Sequence, residues 1–139
     1  MSIAGSDCSG GAGIQADLKT ISALGAYAAT AITAITVQNT TGVRAIHPVP
    51  PVFVRGQIEA VMDDIRPDAI KIGMINDIEI VKVISACLHK YRPAYVIFDP
   101  VMVSTSGHKL IEDDAIAALT DDLMPLTSLI TPNLREAEV

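Results

Sequence analysis

Apolar residues follow two different spacings along the chain. In several segments they recur every three or four residues, as along one face of a helix; Ile14, Leu18 and Ile21 are an example, and Gly25 follows as a helix stop. Between these segments lie short apolar runs rich in β-branched residues, which indicate buried strands. The predicted strands are 1–4, 28–37, 69–72, 94–98 and 128–131, and the predicted helices are 14–24, 52–65, 77–90, 112–124 and a last one that begins at 132–133. Asn76 or Asp77 is predicted to cap the helix 77–90.

Strands and helices therefore alternate, in the order βαβαβαβαβα. Such alternation predicts an α/β fold with a mainly parallel sheet and helices on both of its faces. A length of 139 residues fits one domain, 1–139. Residues 38–47 are predicted to form a turn region, because they include Asn39 and Gly42.

Polar and glycine-rich segments follow the predicted strands. They are the loop 6–13 (SDCSGGAG), Gln38-Asn39, Gly73-Met74, Asp99 and Asn133. Open parallel sheets bind ligands at the carboxyl ends of their strands. We therefore expect these segments to gather at one edge of the sheet and to enclose a cleft.

Composition and charge exclude several classes of partner. The chain has 10 Lys and Arg against 16 Asp and Glu, a net charge of −6, without a basic run, whereas nucleic-acid binding depends on basic patches. Its apolar runs are shorter than the roughly 18–20 residues that a membrane-spanning helix needs. Cys8 and Cys87 lack metal-ligand spacing, so we predict two reduced thiols and a cytoplasmic location. Neither nucleic acid nor a membrane is an expected partner.

The loop 6–13 admits several interpretations. It is not a phosphate-binding P-loop, because no GK[ST] follows it. Residues 11–16 match the GxGxxA dinucleotide pattern, but the next strand ends in Val37-Gln38-Asn39, without the acidic residue that would hold a ribose hydroxyl. A purely structural turn is a further alternative. We favour a loop whose missing side chains let a ligand lie against the backbone.

Residues 3–20, IAGSDCSGGAGIQADLKT, resemble the opening motif of the hydroxymethylpyrimidine/phosphomethylpyrimidine kinases, a family of the ribokinase superfamily that acts in thiamine biosynthesis. The likeness continues over all 139 residues. The further matching segments are Leu24-Gly25-Ala26-Tyr27, Thr33-Ala34, Val37-Gln38-Asn39-Thr40, Lys71-Ile72-Gly73-Met74, Asp99-Pro100-Val101-Met102, Ser106-Gly107 and 131–138 (TPNLREAE). The resemblance implies a ribokinase-like fold, truncated after about half of its length.

The resemblance also implies a substrate site. By this likeness Gln38 faces the pyrimidine, and its carboxamide offers both a donor and an acceptor to an aminopyrimidine edge. Asp17 accepts a hydrogen bond from the hydroxymethyl group or the ring amine. The other positions implied around the ring are Gly5, Ala12, Met74 and Val101, with Thr36 as a looser match. On residue type alone, Gln38 could be an exposed loop residue, and Met74 and Val101 could be ordinary core residues.

A second group of residues is implied near the nucleotide. Asp99 ends a strand, where a carboxylate needs a cation or a donor partner. Asn133 and Glu136 form an N-x-x-E motif that resembles the superfamily motif near the phosphates and Mg²⁺; Asp99 and Glu136 are expected to act on the metal indirectly. ATP is the implied co-substrate. Asn133 has a simpler alternative role as the cap of the last helix. Three histidines lack metal-ligand or triad spacing and are interpreted as surface or loop residues: His47, His89 and His108.

The resemblance finally implies what this polypeptide lacks. Family members are about twice as long, and their second half carries a G-T-G anion-hole loop and most of the adenine pocket, so we predict no catalytic residue in 1–139 and no useful kinase activity of this chain alone. We expect an open sheet edge and apolar helix faces that associate with another chain, and a homodimer. The alternatives are a pyridoxine/pyridoxal kinase of the same superfamily and a non-catalytic pyrimidine-binding module.

Overall fold

The computed structural model describes residues 1–75, 77–101 and 113–138. Its helices are α1 (Gly13–Ala23), α2 (Pro51–Asp64), α3 (Ile78–Tyr91) and α4 (Asp113–Ala118). Its strands are β1 (Ser2–Ala4), β2 (Thr30–Ile32), β3 (Ala34–Asn39), β4 (Gly42–Pro48), β5 (Ala69–Ile72), β6 (Tyr95–Phe98) and β7 (Leu129–Ile130). The expectations for Asn76, Met102, Ser106-Gly107, His108 and a helix start at Glu112 lie outside the described residues.

Five strands form one parallel sheet in the order β2-β1-β5-β6-β7. This arrangement confirms the predicted α/β fold with a mainly parallel sheet. Because the strands are parallel, their carboxyl ends all lie at the same edge of the sheet. The topology therefore brings the segments that follow the strands to one side of the molecule.

The main hydrophobic core lies on one face of the sheet. Ile3, Ile72 and Phe98 point to this face and are buried. They pack in one cluster with residues of the covering helices, such as Val54 of α2 and Ile84 of α3. Successive residues of a strand point to opposite faces, so the residues between these belong to the other side of the sheet.

Helix α1 covers the other face over β1. There, Ser2 and Lys71 are neighbours in register, and both contact Asp17 of α1. Helices thus lie on both faces, as predicted. On the α1 face, however, Tyr95 of β6 and Leu129 of β7 expose 61% and 54% of their surface. In the described part of the chain, this face is open over the last two strands.

The prediction of a single strand over 28–37 is wrong, and most of 38–47 is strand, whereas a turn between Asn39 and Gly42 is confirmed. Only β2 joins the main sheet, while β3 and β4 pair with each other as a separate antiparallel hairpin. An apolar run does not by itself show whether it forms one strand or two. Asn39 and Gly42 do flank a turn, but it is the tight turn of this hairpin, at Thr40-Thr41.

Thr33 marks the point where the chain leaves the main sheet. Its backbone N–H donates to the carbonyl oxygen of Ala4 at 3.0 Å, and its hydroxyl donates to that of Met74 at 3.0 Å. The residue is completely buried. These two hydrogen bonds fix the start of the hairpin directly above the carboxyl edge of the sheet.

The last elements are shorter and more irregular than predicted. Helix α4 ends at Ala118 and continues as a π-helical turn, Leu119–Leu123, and a 3₁₀ turn, Met124–Leu126. The final predicted helix is a single 3₁₀ turn, Glu136–Glu138. The predicted cap of α3 is confirmed, because Asp77 accepts a hydrogen bond from the N–H of Glu79 at 2.7 Å. Among the described residues, no helix has the length and apolar character needed to cross a membrane.

Candidate functional site

The carboxyl edge of the sheet carries the predicted site segments. Gly5 follows β1, Gly73-Met74 follows β5, Asp99 follows β6, and Asn133 lies shortly beyond β7. The segments continue the backbone hydrogen bonding of the sheet; the N–H of Asp99, for example, donates to the carbonyl oxygen of Ile72 at 2.8 Å. Residues that are far apart in the chain are thus neighbours at this edge.

The glycine-rich loop folds around the carboxylate of Asp7. One oxygen accepts hydrogen bonds from the N–H and the hydroxyl of Ser9, at 2.9 and 2.7 Å. The other accepts from the N–H groups of Gly11 and Ala12, at 2.9 and 2.8 Å. Asp7 is only 2% exposed, although the loop residues around it face solvent. The carboxylate therefore determines the path of the loop.

The environment of Asp7 favours its ionised form. Burial by itself raises the pKa of this carboxyl group, but the hydrogen bonds from Ser9, Gly11 and Ala12 outweigh burial and hold the pKa below its ordinary value of 3.8. The loop is accordingly built on a negative charge at neutral pH.

Two glycines allow close approaches at the base of the loop. Gly13 begins α1 with a φ of +55°, and a side chain there would overlap the carbonyl oxygen of Gly5. At Gly5, an added Cβ would lie 2.7 Å from the terminal methyl group of Met74. The half-buried Met74 side chain therefore lies directly against the Gly5 backbone. This contact creates an apolar surface between the ends of β1 and β5.

Gln38 is held against the loop from the hairpin. The thiol of Cys8 donates to its carbonyl oxygen at 2.9 Å, and the N–H of Gln38 lies 3.4 Å from the same sulfur. The buried Thr36 donates its hydroxyl to the carbonyl oxygen of Ser6 at 2.8 Å, and this hydroxyl lies 3.2 Å from the Gln38 Oε1. Gln38 is half-buried, so its carboxamide is fixed in position and still accessible.

The carboxylates of Asp17 and Asp99 are connected by a lysine. Lys71 Nζ lies 3.3 Å from Asp17 Oδ2 and 3.5 Å from Asp99 Oδ2. Asp17 extends from α1, Lys71 from β5, and Asp99 follows β6, so three elements contribute to the cluster. Asp99 thus has the donor partner that a carboxylate at this position requires.

The N-x-x-E segment forms a reciprocal cap. Asn133 Oδ1 accepts from the N–H groups of Arg135 and Glu136, both at 3.0 Å. In return, Glu136 Oε2 accepts from the N–H of Asn133 at 2.9 Å. This is the hydrogen-bond pattern of a capping box, and the alternative role proposed for Asn133 as a cap is confirmed.

The two remaining predicted residues also lie at this edge. Ala12 is exposed, and its N–H is directed to Asp7. Val101 is half-buried, and its N–H donates to the carbonyl oxygen of Asp99 at 2.9 Å. The predicted substrate-side residues thus lie near β1, β5 and the hairpin, except Val101, which follows β6. The predicted phosphate-side residues lie beyond β6 and β7.

The comparisons with known proteins agree with this arrangement. A family described as phosphomethylpyrimidine kinase matches residues 7–139. The chain belongs to this family. The Escherichia coli hydroxymethylpyrimidine/phosphomethylpyrimidine kinase is 49% identical over 137 residues, which make up 99% of this chain and 52% of that relative. Across the curated relatives compared, the chain spans 25% to 52% of their length, and about half of the Escherichia coli and Rhizobium meliloti kinases.

Solved structures show the same relationship. The crystal structure of the Clostridium difficile phosphomethylpyrimidine kinase is 53% identical, with a TM-score of 0.93 over 99% of this chain and 59% of that one. The Staphylococcus aureus pyridoxal kinase in complex with AMP-PCP and pyridoxal is 39% identical, with a TM-score of 0.83 over 98% of this chain and 48% of that one. The ribokinase-like fold implied by the resemblance is therefore confirmed.

The fit of this chain to Mg²⁺ can be tested on its carboxylates. Mg²⁺ is usually bound by one or two carboxylates together with phosphates and water. Asp99 is accessible, whereas Glu136 is buried and one of its oxygens is engaged in the capping box. Within residues 1–75, 77–101 and 113–138, no group of three acidic, His or Cys side chains could hold a metal. The residues fit an ion held mainly by phosphates and water, and do not fit Glu136 as a direct ligand.

Sequence reasoning missed two residues that organise the candidate site. From the sequence, Asp7 has no predicted role of its own within the glycine-rich loop. An Asp two residues before a Ser is, however, a known signal for turns in which the side chain accepts from the backbone. Lys71 was seen only as part of a matching segment. Its partner Asp17 is 54 positions away in the sequence, and no local pattern predicts that contact.

The remaining predictions concern residues away from the site. His47 and His89 are exposed, as predicted. Cys8 is exposed and Cys87 is buried, and neither forms a disulfide. A cavity of about 350 Å³ lies at the opposite, amino edge of the sheet, and none of the predicted site residues lines it.

Proposed function

We propose that residues 1–139 form the substrate-binding part of a ribokinase-like kinase domain. The domain uses ATP to phosphorylate 4-amino-5-hydroxymethyl-2-methylpyrimidine and then its monophosphate. The observation that carries the proposal is the convergence of the glycine-rich loop, Gln38 and Met74 at one edge of the sheet. Membership of the phosphomethylpyrimidine kinase family supports the same substrate class.

The substrate side combines a polar edge with an apolar surface. The carboxamide of Gln38 offers a donor and an acceptor to the amino group and ring nitrogen of the pyrimidine. Met74, which packs against the backbone of Gly5, and Val101 provide apolar contacts for the ring, and the small side chain of Ala12 leaves room for it beside the loop. Asp17 accepts the hydrogen bond of the hydroxymethyl group or the amine.

The phosphate side begins at Asp99. In this proposal Asp99 and Glu136 act on Mg²⁺ indirectly, and Asn133 contacts the nucleotide. Asn133 Oδ1 is used in the capping box, so its amide nitrogen is the atom that would donate to a phosphate oxygen. The pyridoxal kinase bound to AMP-PCP supports a nucleotide as co-substrate for the family fold.

Binding measurements on the chain test the substrate assignment. Isothermal titration with the hydroxymethylpyrimidine should show saturable binding, and Gln38→Met should weaken it by roughly 5- to 150-fold, the effect of leaving 1–3 kcal/mol of ligand hydrogen bonding unmade. Arg44→Gln, an exposed residue on strand β4 of the same hairpin, is the matched control and should bind like the wild type. Binding that is insensitive to Gln38 would contradict the assignment.

Pyridoxal is the second candidate substrate. The structural similarity to a pyridoxal kinase is the observation that favours it, and pyridoxal also carries a hydroxymethyl group on an aromatic heterocycle. Competition between the pyrimidine and pyridoxal for the chain decides between them; we expect the pyrimidine to bind more tightly. The remaining alternative is a non-catalytic pyrimidine-binding module. Separate titration with Mg-ATP tests it, because such a module should bind the pyrimidine and not the nucleotide.

We also propose that the chain is inactive alone and cytoplasmic, and that it associates through exposed apolar surface. Ile35 and Val37 expose 53% and 54% of their surface on the hairpin. Exposed apolar side chains of this kind support a homodimer formed through the hairpin. Sedimentation measurements should show a dimer that Ile35→Lys dissociates. A phosphoryl-transfer assay should detect no turnover by residues 1–139. A monomeric or catalytically active chain would contradict the respective proposal.

A further inference from the structure

Lys71 occupies a position between the two halves of the proposed site. β5 lies between β1 and β6 in the sheet, and the Lys71 side chain points to the face that α1 covers. Its ammonium group reaches Asp17 on one side and Asp99 on the other. The side chains of the lysine, Asp17 and Asp99 are 28%, 18% and 38% exposed, in that order. The ammonium group is therefore accessible to a ligand, but it is partly shielded from water, which strengthens its electrostatic interactions.

Gly73 leaves room for this ammonium group. Residues 71 and 73 point to the same face, because side chains alternate along a strand. A Cβ at position 73 would lie 3.1 Å from Lys71 Nζ and 3.0 Å from the Cβ of Ala4. The lysine side chain therefore runs along the strand towards its carboxyl end and passes over the glycine. This path brings the charge from the middle of the sheet to the carboxyl edge, where the proposed site lies.

The contacts of Asp17 distinguish its two oxygens. Oδ2 accepts hydrogen bonds from the hydroxyl of Ser2 at 2.5 Å and from Lys71 Nζ at 3.3 Å. Ser2 is 1% exposed, so its hydroxyl is a fixed donor. Oδ1 accepts no hydrogen bond from the described residues. Ser2 and Lys71 thus orient the carboxylate with Oδ1 left for a ligand.

Lys71 also sets the charge that a phosphate would meet. With the lysine, the cluster of Asp17, Lys71 and Asp99 carries a net charge of −1; without it, the two carboxylates would leave −2. The cluster without the lysine therefore repels a phosphorylated ligand more strongly than the cluster with the lysine does. A neutral ligand is affected much less. Ion pairs this exposed add little to fold stability, so the lysine can be removed without unfolding the chain.

We propose that Lys71 is a positioning residue for the phosphoryl transfer. It holds Asp17 in the orientation that accepts a hydrogen bond from the ligand, and it lowers the repulsion between the site and a phosphorylated pyrimidine. The inference rests on the proposed pyrimidine kinase function. It assigns Lys71 to the boundary between the substrate side and the phosphate side, and Ser2 to the orientation of Asp17 alone.

Titration of the chain with two ligands tests the role of Lys71. The ligands are the hydroxymethylpyrimidine and its monophosphate. Lys71→Met should weaken binding of the monophosphate by about tenfold or more, the loss expected for one charge-assisted contact, and should weaken the unphosphorylated compound less. Lys71→Arg should recover part of the loss. Ser2→Ala should weaken both ligands by the same factor, because it changes the orientation of Asp17 and not the charge.

Two controls separate this role from a structural one. Lys82→Met removes an exposed lysine that pairs with Glu79 on α3 and should change neither affinity. The thermal midpoint of Lys71→Met should stay within a few degrees of the wild type. Equal losses for both ligands together with a lowered midpoint would mean that Lys71 only supports the fold.

The outcomes also separate this inference from the proposed function. Wild-type chain that binds neither compound contradicts the pyrimidine kinase proposal itself. Wild-type chain that binds both, with Lys71→Met binding both equally well, contradicts the role of Lys71 and leaves the proposed function standing.

Discussion

Replacing Asp7 by Asn tests how the glycine-rich loop is held. Asn keeps the size of the side chain but removes its charge and exchanges one oxygen for an NH₂ group. If the new NH₂ group faces Gly11 and Ala12, both of their N–H groups lose their acceptor; if it faces Ser9, the Ser9 N–H loses its acceptor, while the Ser9 hydroxyl can turn and accept from the NH₂ group. The substitution therefore breaks one or two of the four hydrogen bonds and weakens the others.

The expected magnitude follows from these contacts. A hydrogen bond to a charged acceptor contributes about 1.5–3 kcal/mol, so the loss of one or two corresponds to ~1.5–6 kcal/mol if nothing replaces them. The loop around Asp7 is exposed, and water can rehydrate part of the released N–H groups. We therefore expect Asp7→Asn to lower the free energy of unfolding by about 2–3 kcal/mol, near the lower end of that range.

The pH dependence gives the prediction its sign. Because the pKa of Asp7 lies below 3.8 in the folded chain, its contribution to stability is complete above that pH and is lost as the pH falls through the folded pKa. The difference between wild type and Asp7→Asn should be constant between about pH 5 and 8 and should shrink below pH 3.8. Urea titrations at a series of pH values measure this difference.

A second cap on the same chain provides the control. Asp77→Asn changes the residue that caps α3 through one hydrogen bond to Glu79 and should cost about 1 kcal/mol or less. Hydrogen exchange at the amides of Gly11 and Ala12 should be faster in Asp7→Asn and unchanged in Asp77→Asn. The reasoning is refuted if Asp7→Asn unfolds with the wild-type free energy and protects those two amides equally well.

Three further substitutions or modifications test separate contacts. Gly13→Ala should lower the free energy of unfolding by about 2 kcal/mol or more, because φ is +55° and the new Cβ would overlap the carbonyl oxygen of Gly5; a urea titration measures the change. Cys8 should react with a thiol reagent in the folded chain and Cys87 only after unfolding, because burial raises the pKa of Cys87; mass spectrometry of labelled peptides distinguishes them. Arg92 ends α3 with a φ of 48°, a conformation that glycine adopts more easily. Arg92→Gly should therefore raise the free energy of unfolding by up to about 1 kcal/mol, which a higher thermal midpoint would show.

Local sequence patterns predicted the elements whose ends carry strong turn signals. The strand 69–72 and the helix that follows it were placed correctly, because Pro67 precedes the strand, Gly73 ends it, and Asp77 caps the helix. The gathering of site segments at one edge also followed from sequence, since alternating strands and helices imply a parallel sheet. Both inferences depend only on residues near each other in the chain.

The hairpin shows where such patterns fail. In the structure Ile35 and Val37 are exposed and Thr36 between them is buried. The sequence shows only that these residues continue the apolar run that forms β2. Only the long-range hydrogen bonds of Thr33, to Ala4 and across 41 positions to Met74, separate the two strands. A contact of that kind has no signature in the local spacing of apolar residues.

The order of strands gives the site a direction. Gly5 follows β1, Gly73 follows β5, Asp99 follows β6 and Asn133 lies beyond β7, and these strands are consecutive in the sheet. Neighbouring strands are about 4.8 Å apart, so the edge from β1 to β7 spans roughly 14 Å. This length accommodates a heterocycle at one end and a chain of phosphates at the other, with Lys71 of β5 between them. Most residues proposed for the pyrimidine lie at the β1 end, those proposed for the nucleotide follow β6 and β7, and Val101 and Asp99 meet beyond β6. The direction of phosphoryl transfer would therefore run along the edge, across the ammonium group that joins Asp17 to Asp99.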